Sequence, residues 1–399
     1  MIKKIYYYIK KRVMWAICYL LPINNKKIVF SSYFGRGYGD NLKYIADKII
    51  EMDIYNQYEI IWLINNEKES ENIPKAIKTS KIDSFSGVYH LSTAKVWIDN
   101  CRKEYFHKKK NQFYMQTWHG GGAQKKCEAD VIESLSRGYK DMAVKDAENT
   151  DLMISESSFM TDLYHKSFWY NGPVYECGYP RYDILLNTND DLKDKVYKFY
   201  NINTNRKLVL YAPTFRVDGS FDAYDVDMDR LRKNLKVRFK SDFVVLVHLH
   251  PNVANEDGLN YDGINVINST FYPDTQELIA VADVLIGDYS SINYDFCLNK
   301  RPVFRYAADF ETYQNDRDLY FSHDEYPYPM AKNNDELEKI ILGFDEDKYI
   351  SDLSRFFEKL GTIFNPNSSQ NIANLIIDLM KYKGKIIEFV NENKSKFKC

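Results

Sequence analysis

His119 sits where the apolar run Phe113 to Trp118 gives way to Gly120-Gly121-Gly122. A histidine at a strand end can take a proton from a substrate hydroxyl. Glycines beside it leave the backbone amides of Gly120 and Gly121 open to an acceptor group or anion. An H-G-G-G turn also forms half of an oxyanion hole in ester hydrolysis. No G-x-S-x-G nucleophile elbow occurs in the chain, so acyl transfer lacks its serine. Lys126, close behind, either adds positive potential to this turn or is a solvated surface charge.

A second histidine, His250 in Leu249-His250-Pro251, ends the apolar run Phe243 to His248 and is suited to donate to phosphate. His248 shares its strand face if the strand continues, but no H-E-x-x-H or acidic ligand cluster accompanies the pair. We therefore expect no metal and a packed His248. Gly287-Asp288-Tyr289-Ser290-Ser291 stands between a strand and a helix, which puts Ser290 and Ser291 at a helix start. There hydroxyls and unpaired amides either bind phosphate or merely cap the helix. Tyr211-Ala212-Pro213-Thr214-Phe215-Arg216 brings a hydroxyl and a fixed cation to another strand end, with Arg216 suited to phosphate or to a salt bridge. The triplet Gly35-x-Gly37-x-Gly39 lacks the dinucleotide fingerprint spacing and reads as a turn with close backbone approach.

These residues need strands that end together, and the pattern supplies them. Lys27 to Ser31, Glu59 to Ile64, Val96 to Ile98, Phe113 to Trp118, Leu152 to Ile154 and Val174 to Glu176 read as buried strands, with a helix over Leu42 to Met52. Leu208 to Pro213, Phe243 to His248, Ile264 to Ile267, Val284 to Gly287 and Pro302 to Tyr306 form a second series, crossed by helices over Met228 to Phe239, Thr275 to Ala282 and Ile292 to Leu298. Alternating strands and helices predict two Rossmann-like α/β halves facing a cleft, with ligands at the carboxyl ends of the strands. The expected segments are 1–24, a basic amphipathic segment; 25–186, the first half; 187–332, the second; and 333–399, C-terminal helices that pack back across them.

The first segment carries only basic charges, and no Asp or Glu precedes Asp40. Its lysines alternate with Ile5, Tyr6, Tyr7, Ile9, Val13 and Trp15, which predicts a helix lying in an anionic headgroup layer at the cytoplasmic face of a membrane. The apolar run Val13 to Leu21 is too short to span. Elsewhere the 54 Lys and Arg nearly balance the 56 Asp and Glu, and basic runs such as Lys108 to Lys110 are short, so a nucleic-acid-coating surface is excluded. With 399 residues, 45% of them hydrophobic, the chain can bury two cores and is not a disordered tail. Six scattered cysteines without a C-x-x-C pair suggest reduced thiols.

Taken together, Gln116 to Gly120 (QTWHG), Glu176 to Asp183 (ECGYPRYD), Tyr211 to Arg216 (YAPTFR), Leu249 to Pro251 (LHP) and Asp288 to Phe296 (DYSSINYDF) resemble the CDP-glycerol glycerophosphotransferases of teichoic acid and capsule synthesis. The chain differs at Gly121-Gly122, where the family often has Thr-Pro, and at Tyr326 to Pro329. The resemblance implies a glycosyltransferase-B-like fold, monotopic attachment, and transfer of an alditol phosphate from CDP-glycerol or CDP-ribitol to a lipid-linked or polymeric acceptor, releasing CMP. It implies no further cofactor. Carried over, His119 is the catalytic base, and His250, Ser290 and Ser291 contact the donor diphosphate. Thr214, Arg216 and Asp288 join them at the CDP side, and Arg181 joins Gly120, Gly121 and Lys126 as an acceptor or anion site. A nucleotide-sugar glycosyltransferase of the same fold and a non-catalytic membrane scaffold are the competing readings.

Overall fold

The computed structural model describes residues 2–53, 55–103, 108–122, 124–187, 190–214, 216, 224–249, 265–310 and 318–398, without the side chains of residues 2–9. Two compact units result, one from residues 1–119, 127–183 and 363–399, the other from 120–126 and 184–362. The expected C-terminal segment is therefore divided, its last part belonging to the first unit.

In the first unit, β1 (Asn24–Ser31), β2 (Glu59–Ile64), β3 (Lys78–Lys81), β4 (Ala94–Asp99), β5 (Phe113–Gln116), β6 (Leu152–Ser155) and β7 (Val174–Glu176) form one sheet in the order β3-β2-β1-β4-β5-β6-β7. Every pairing is parallel. The central runs, such as Ile60-Ile61-Trp62-Leu63-Ile64, are buried on both faces, which is why they are apolar without alternation. The order reverses between β1 and β4, and such a switch point opens a crevice at the carboxyl ends of the strands. Here Ser31 pairs in register with Asp99.

Three helices frame that edge. α2 (Asp40–Glu51) buries Leu42, Ile45, Ala46 and Ile49, an i, i+3, i+4, i+7 stripe. α3 (Phe85–Thr93) starts at Ser84, whose hydroxyl accepts from Gly87 N at 3.0 Å. α1 (Ile2–Tyr19) lays Met14, Trp15 and Cys18 into the core against Val88, Leu91 and Trp97, with the Trp15 ring edge-on to Trp97 at 6.3 Å. Trp15 was expected on a membrane-facing surface; it is 4% exposed because its face of α1 covers the sheet. The opposite face leaves Val13 51% and Ile17 52% exposed, and Leu20, in the turn just past the helix, is 85% exposed. No helix among the described residues is long and apolar enough to cross a membrane.

The helix Ser368–Lys381 is held at both ends by the first unit. Asp183 accepts from Ser368 N at 2.8 Å and Ser369 N at 2.9 Å, satisfying amides at the start. Lys95 Nζ donates to the carbonyls of Met380 at 3.1 Å and Tyr382 at 2.7 Å at the other end.

In the second unit, β8 (Lys207–Tyr211), β9 (Phe243–Val247), β10 (Val266–Asn268), β11 (Val284–Gly287), β12 (Val303–Tyr306) and β13 (Met330–Ala331) form the order β10-β9-β8-β11-β12-β13, again all parallel. Its switch point lies between β8 and β11, the strands that lead to Thr214 and Asp288. Residues 120–126 join this unit through a Lys125–Leu319 bridge and Lys126 N donating to Asp318 O at 2.9 Å. Gly122, at φ +64, is pressed so closely on Tyr294 that a Cβ would fall 2.3 Å from the ring.

Candidate active site

At the carboxyl edge of the first sheet, β5 stops at Gln116, and Trp118 turns the chain with a left-handed φ of 55°. Tyr33, Phe34 and Asp40 share that sign at 44°, 59° and 58°. Non-glycine residues in this region are rare, and a group of them around one side chain marks a constrained functional edge. The side chain is His119. Its Nδ1 lies 2.6 Å from the carbonyl of Asn100, just past β4. A carbonyl only accepts, so Nδ1 carries the proton and Nε2 keeps its lone pair. Burial lowers the His119 pKa, opposed by the Asn100 carbonyl and by Asp40, so the ring is a neutral base near pH 7.

The support of His119 is built from residues the sequence reading passed over. Asn100 Nδ2 donates to Asp40 at 2.6 Å, its Oδ1 accepts from Tyr33 N at 2.8 Å, and the Tyr33 ring meets His119 edge-on at 5.5 Å. Asp40 in turn pairs with Arg181 at 2.8 Å. An acidic residue beside a glycine-rich turn was the one available signal for this network. Cys101 Sγ is 3.8 Å from His119 Nδ1, but burial pushes its pKa up, so it stays a thiol and no thiolate nucleophile forms.

At the edge of the second sheet, Asp288 organises the strand ends. Its carboxylate accepts from Thr214 N at 2.8 Å, Thr214 Oγ1 at 2.5 Å and Tyr289 N at 2.5 Å. Arg216 reaches Asp288 at 2.9 Å and Asp309 at 2.5 Å, donates to Thr214 O at 2.6 Å and lies over the Tyr289 ring. Ser291 begins the helix Ile292–Cys297 without using its hydroxyl as a cap, and Ser290 Oγ makes only a long 3.4 Å contact with Ile292 N. Both serines are half-buried.

The other expected site residues stand as follows. Arg216, expected to serve phosphate or a salt bridge, is buried between two carboxylates and ties the strand ends together. Arg181, expected as an acceptor or anion site, is buried on Asp40 and between the Tyr179 and Tyr182 rings. Lys126 pairs with exposed Asp318 at 2.9 Å on the surface of the second unit. Gly121 is buried and Gly120 half-buried, at the point where the chain leaves the first unit. His250 lies outside the described residues, as does Ile264. β9 stops at Val247, and His248 has both ring nitrogens engaged, by Ser269 O at 2.8 Å and Thr275 Oγ1 at 3.0 Å. The sequence reading also missed Arg305, register partner of Gly287, a buried guanidinium that donates to His323 O at 2.9 Å and whose pKa burial lowers. Among the described residues no three His, Cys, Asp or Glu side chains gather as metal ligands.

Two parallel α/β sheets of Rossmann strand order, one with a neutral histidine at its carboxyl edge, define a doubly wound α/β protein. Residues 13–378 match the family model of CDP-glycerol:poly(glycerophosphate) glycerophosphotransferase, and the chain belongs to that family. It is 30% identical over 377 residues to a teichoic acid poly(glycerol phosphate) polymerase of Staphylococcus epidermidis, covering 89% of this chain and 51% of the relative. With the polymerase of the same description from Bacillus spizizenii it shares 28% identity over 373 residues, 90% of this chain and 94% of that one. The chain thus spans about half the length of the first relative and nearly all of the second. Among solved structures, a histidine-to-asparagine variant of the wall teichoic acid polymerase TagF with CDPG superposes with a TM-score of 0.80 at 28% identity, covering 95% of each chain.

Proposed function

We propose that this chain transfers glycerol phosphate, or another alditol phosphate, from a CDP-activated donor to a hydroxyl of a teichoic acid or related acceptor, releasing CMP. The observation that carries this reading is the His119 tautomer, with Nδ1–H fixed on Asn100 O and Nε2 left as base. The acceptor hydroxyl attacks the phosphorus next to the alditol in line. His119 Nε2 takes its proton as the new P–O bond forms, and the bond to the CMP phosphate breaks. Ser290, Ser291 and His250 meet the developing charge on the leaving diphosphate, with Thr214, Asp288 and Arg216 at the same CDP side and no resident cofactor. The halves work as a glycosyltransferase-B-like pair. The protein works at the cytoplasmic face of the membrane, which it meets through Val13, Ile17 and Leu20, an i, i+4, i+7 stripe of exposed apolar side chains.

The deciding experiment incubates the protein with CDP-glycerol and CDP-ribitol separately, with membranes that carry candidate acceptors, and separates the nucleotides by chromatography. Acceptor-dependent CMP release is expected and names the donor. UDP release from a UDP-sugar without any CMP overturns the reading in favour of glycosyl transfer.

A further inference from the structure

Tyr294 is fully buried in the helix Ile292–Cys297, three residues beyond Ser291. It touches two of the four segments by which the chain passes from one unit to the other, Gly122 and Thr362, both of which belong with Tyr294 to the second unit. Gly122, at φ +64, lies so close to the ring that a Cβ there would overlap the ring carbons. The Tyr294 hydroxyl shares a 2.8 Å hydrogen bond with Thr362 Oγ1, at the last crossing. A left-handed backbone with no space for a side chain calls for glycine, so ring and glycine fit as one close-packed contact.

That contact holds the chain that carries His119. Past Gly122 the segment is pinned again: Gln124 Nε2 donates to the Tyr328 hydroxyl at 2.6 Å, Gln124 O accepts from Tyr320 N at 3.0 Å, and Lys126 N donates to Asp318 O. Before His119, Trp118 N donates to Gln116 Oε1 at 2.9 Å, and Trp118 O accepts from Asn41 Nδ2 at 3.3 Å. Between the two anchored stretches stand His119, Gly120 and Gly121. From His119 to Gly122 the chain can reach no more than about 11 Å. The ring against Gly122 is in turn three residues from Ser291, a proposed donor contact. A short path through one glycine–tyrosine contact therefore joins the base to the donor side. Misplacing a catalytic group by about 1 Å can cost about 10²-fold in rate, so slack in this path reaches the chemistry.

We propose that Tyr294 is a positioning residue for the transfer reaction: its ring locks Gly122, and the lock keeps His119 on Asn100 O with Nε2 set to receive the acceptor proton. The proposal rests on the transferase reading for the reaction, whereas the coupling of Tyr294 to the His119 ring is read without it.

The full-length wild type, Gly122→Ala, Tyr294→Leu, their double variant and Tyr294→Phe are compared in the CMP-release assay. Nitrogen NMR of isotope-labelled histidine follows the tautomer, with His119→Gln assigning the His119 signals. Gly122→Ala is expected to lower kcat at least about tenfold, to leave the KM for the CDP-alditol within about twofold, and to move the His119 signals away from the pure Nδ1–H form. Tyr294→Leu makes room for the added methyl, so Gly122→Ala should cost less on that background than alone, a coupling that independent structural roles would not produce. Tyr294→Phe keeps the ring against Gly122 and loses the Thr362 bond, and should retain the wild-type tautomer with a smaller loss of kcat. Equal losses on the two backgrounds overturn the positioning role, as does a raised donor KM with unchanged kcat. A His119 spectrum identical in wild type and Gly122→Ala overturns it too, and this measurement decides if Tyr294→Leu fails to fold. If no CDP-alditol yields CMP with the wild type while Gly122→Ala still shifts the His119 signals, the transferase reading fails and the lock on His119 stands.

Discussion

His119 combines two properties that pull together: a carbonyl partner that fixes its tautomer and burial that lowers its pKa. His119→Ala is expected to reduce kcat by about 10² to 10⁴, the usual contribution of a positioned base, while the thermal midpoint stays near that of the wild type. Because the folded pKa lies below the ordinary 6.5, the acid limb of the rate profile should fall below pH 6.5. The stability sign follows the same way. His119 and His248 are both lowered by burial, so the unfolded chain takes up protons first as pH drops. Their contribution is present above about pH 6.5 and is lost as the pH falls towards their folded values, which denaturant titrations at pH 7.5 and pH 5.5 will register. Arg216 carries a different expectation. Arg216→Met strands Asp288 and Asp309 in a buried setting and should cost about 3–5 kcal/mol in chemical denaturation. A variant of normal stability that only weakens donor binding would return Arg216 to the role of a phosphate contact.

α1 has two faces with opposite consequences. Trp15→Ala empties core space against Val88, Leu91 and Trp97 and is expected to destabilise by about 3–5 kcal/mol. Leu20→Asp, in the exposed turn that continues the Val13–Ile17 stripe past α1, should change stability by no more than about 0.5 kcal/mol. It should nevertheless lower partitioning onto anionic vesicles in a flotation assay. Unchanged flotation would remove the proposed membrane contact and leave α1 as a packing helix. The loop after β1 shows the same division between backbone and side chain. Gly35, at φ +87, lies so close to Asn65 that a Cβ would fall 2.8 Å from its amide nitrogen, which lets the turn carry Tyr33 and Asp40 towards His119.

Across the molecule, the chain crosses between its two units at 119/120, 126/127, 183/184 and 362/363. Residues 363–399 are therefore part of the first unit's structure. Asp183 caps the helix Ser368–Lys381, Lys95 closes its other end, and Val174 pairs with Lys398. Truncation after Thr362 is expected to abolish cooperative melting of the first unit, seen as a lost thermal transition and aggregation. A truncated chain that melts like the full-length protein would mean these contacts add little.

The strands were legible because a strand buried on both faces must be apolar throughout, and runs such as Phe243 to Val247 have no other reading. His119 and the serines stood out because chemistry-bearing residues at strand ends contrast with those runs, and the family motifs were legible, as the match over residues 13–378 shows. Short strands such as Lys78–Lys81 were not, since four residues with one buried position carry almost no period. Nor did any local pattern show that Arg216 and Arg181 face carboxylates, or that Trp15 turns inward. A guanidinium's task depends on which acids the fold brings within 3 Å, and Asp288 and Asp309 lie 72 and 93 residues from Arg216. Residue type and strand-end position are properties of the chain itself. Partner, burial and protonation state arise only when distant strand ends meet at a switch point, and there the tertiary structure chose the His119 tautomer.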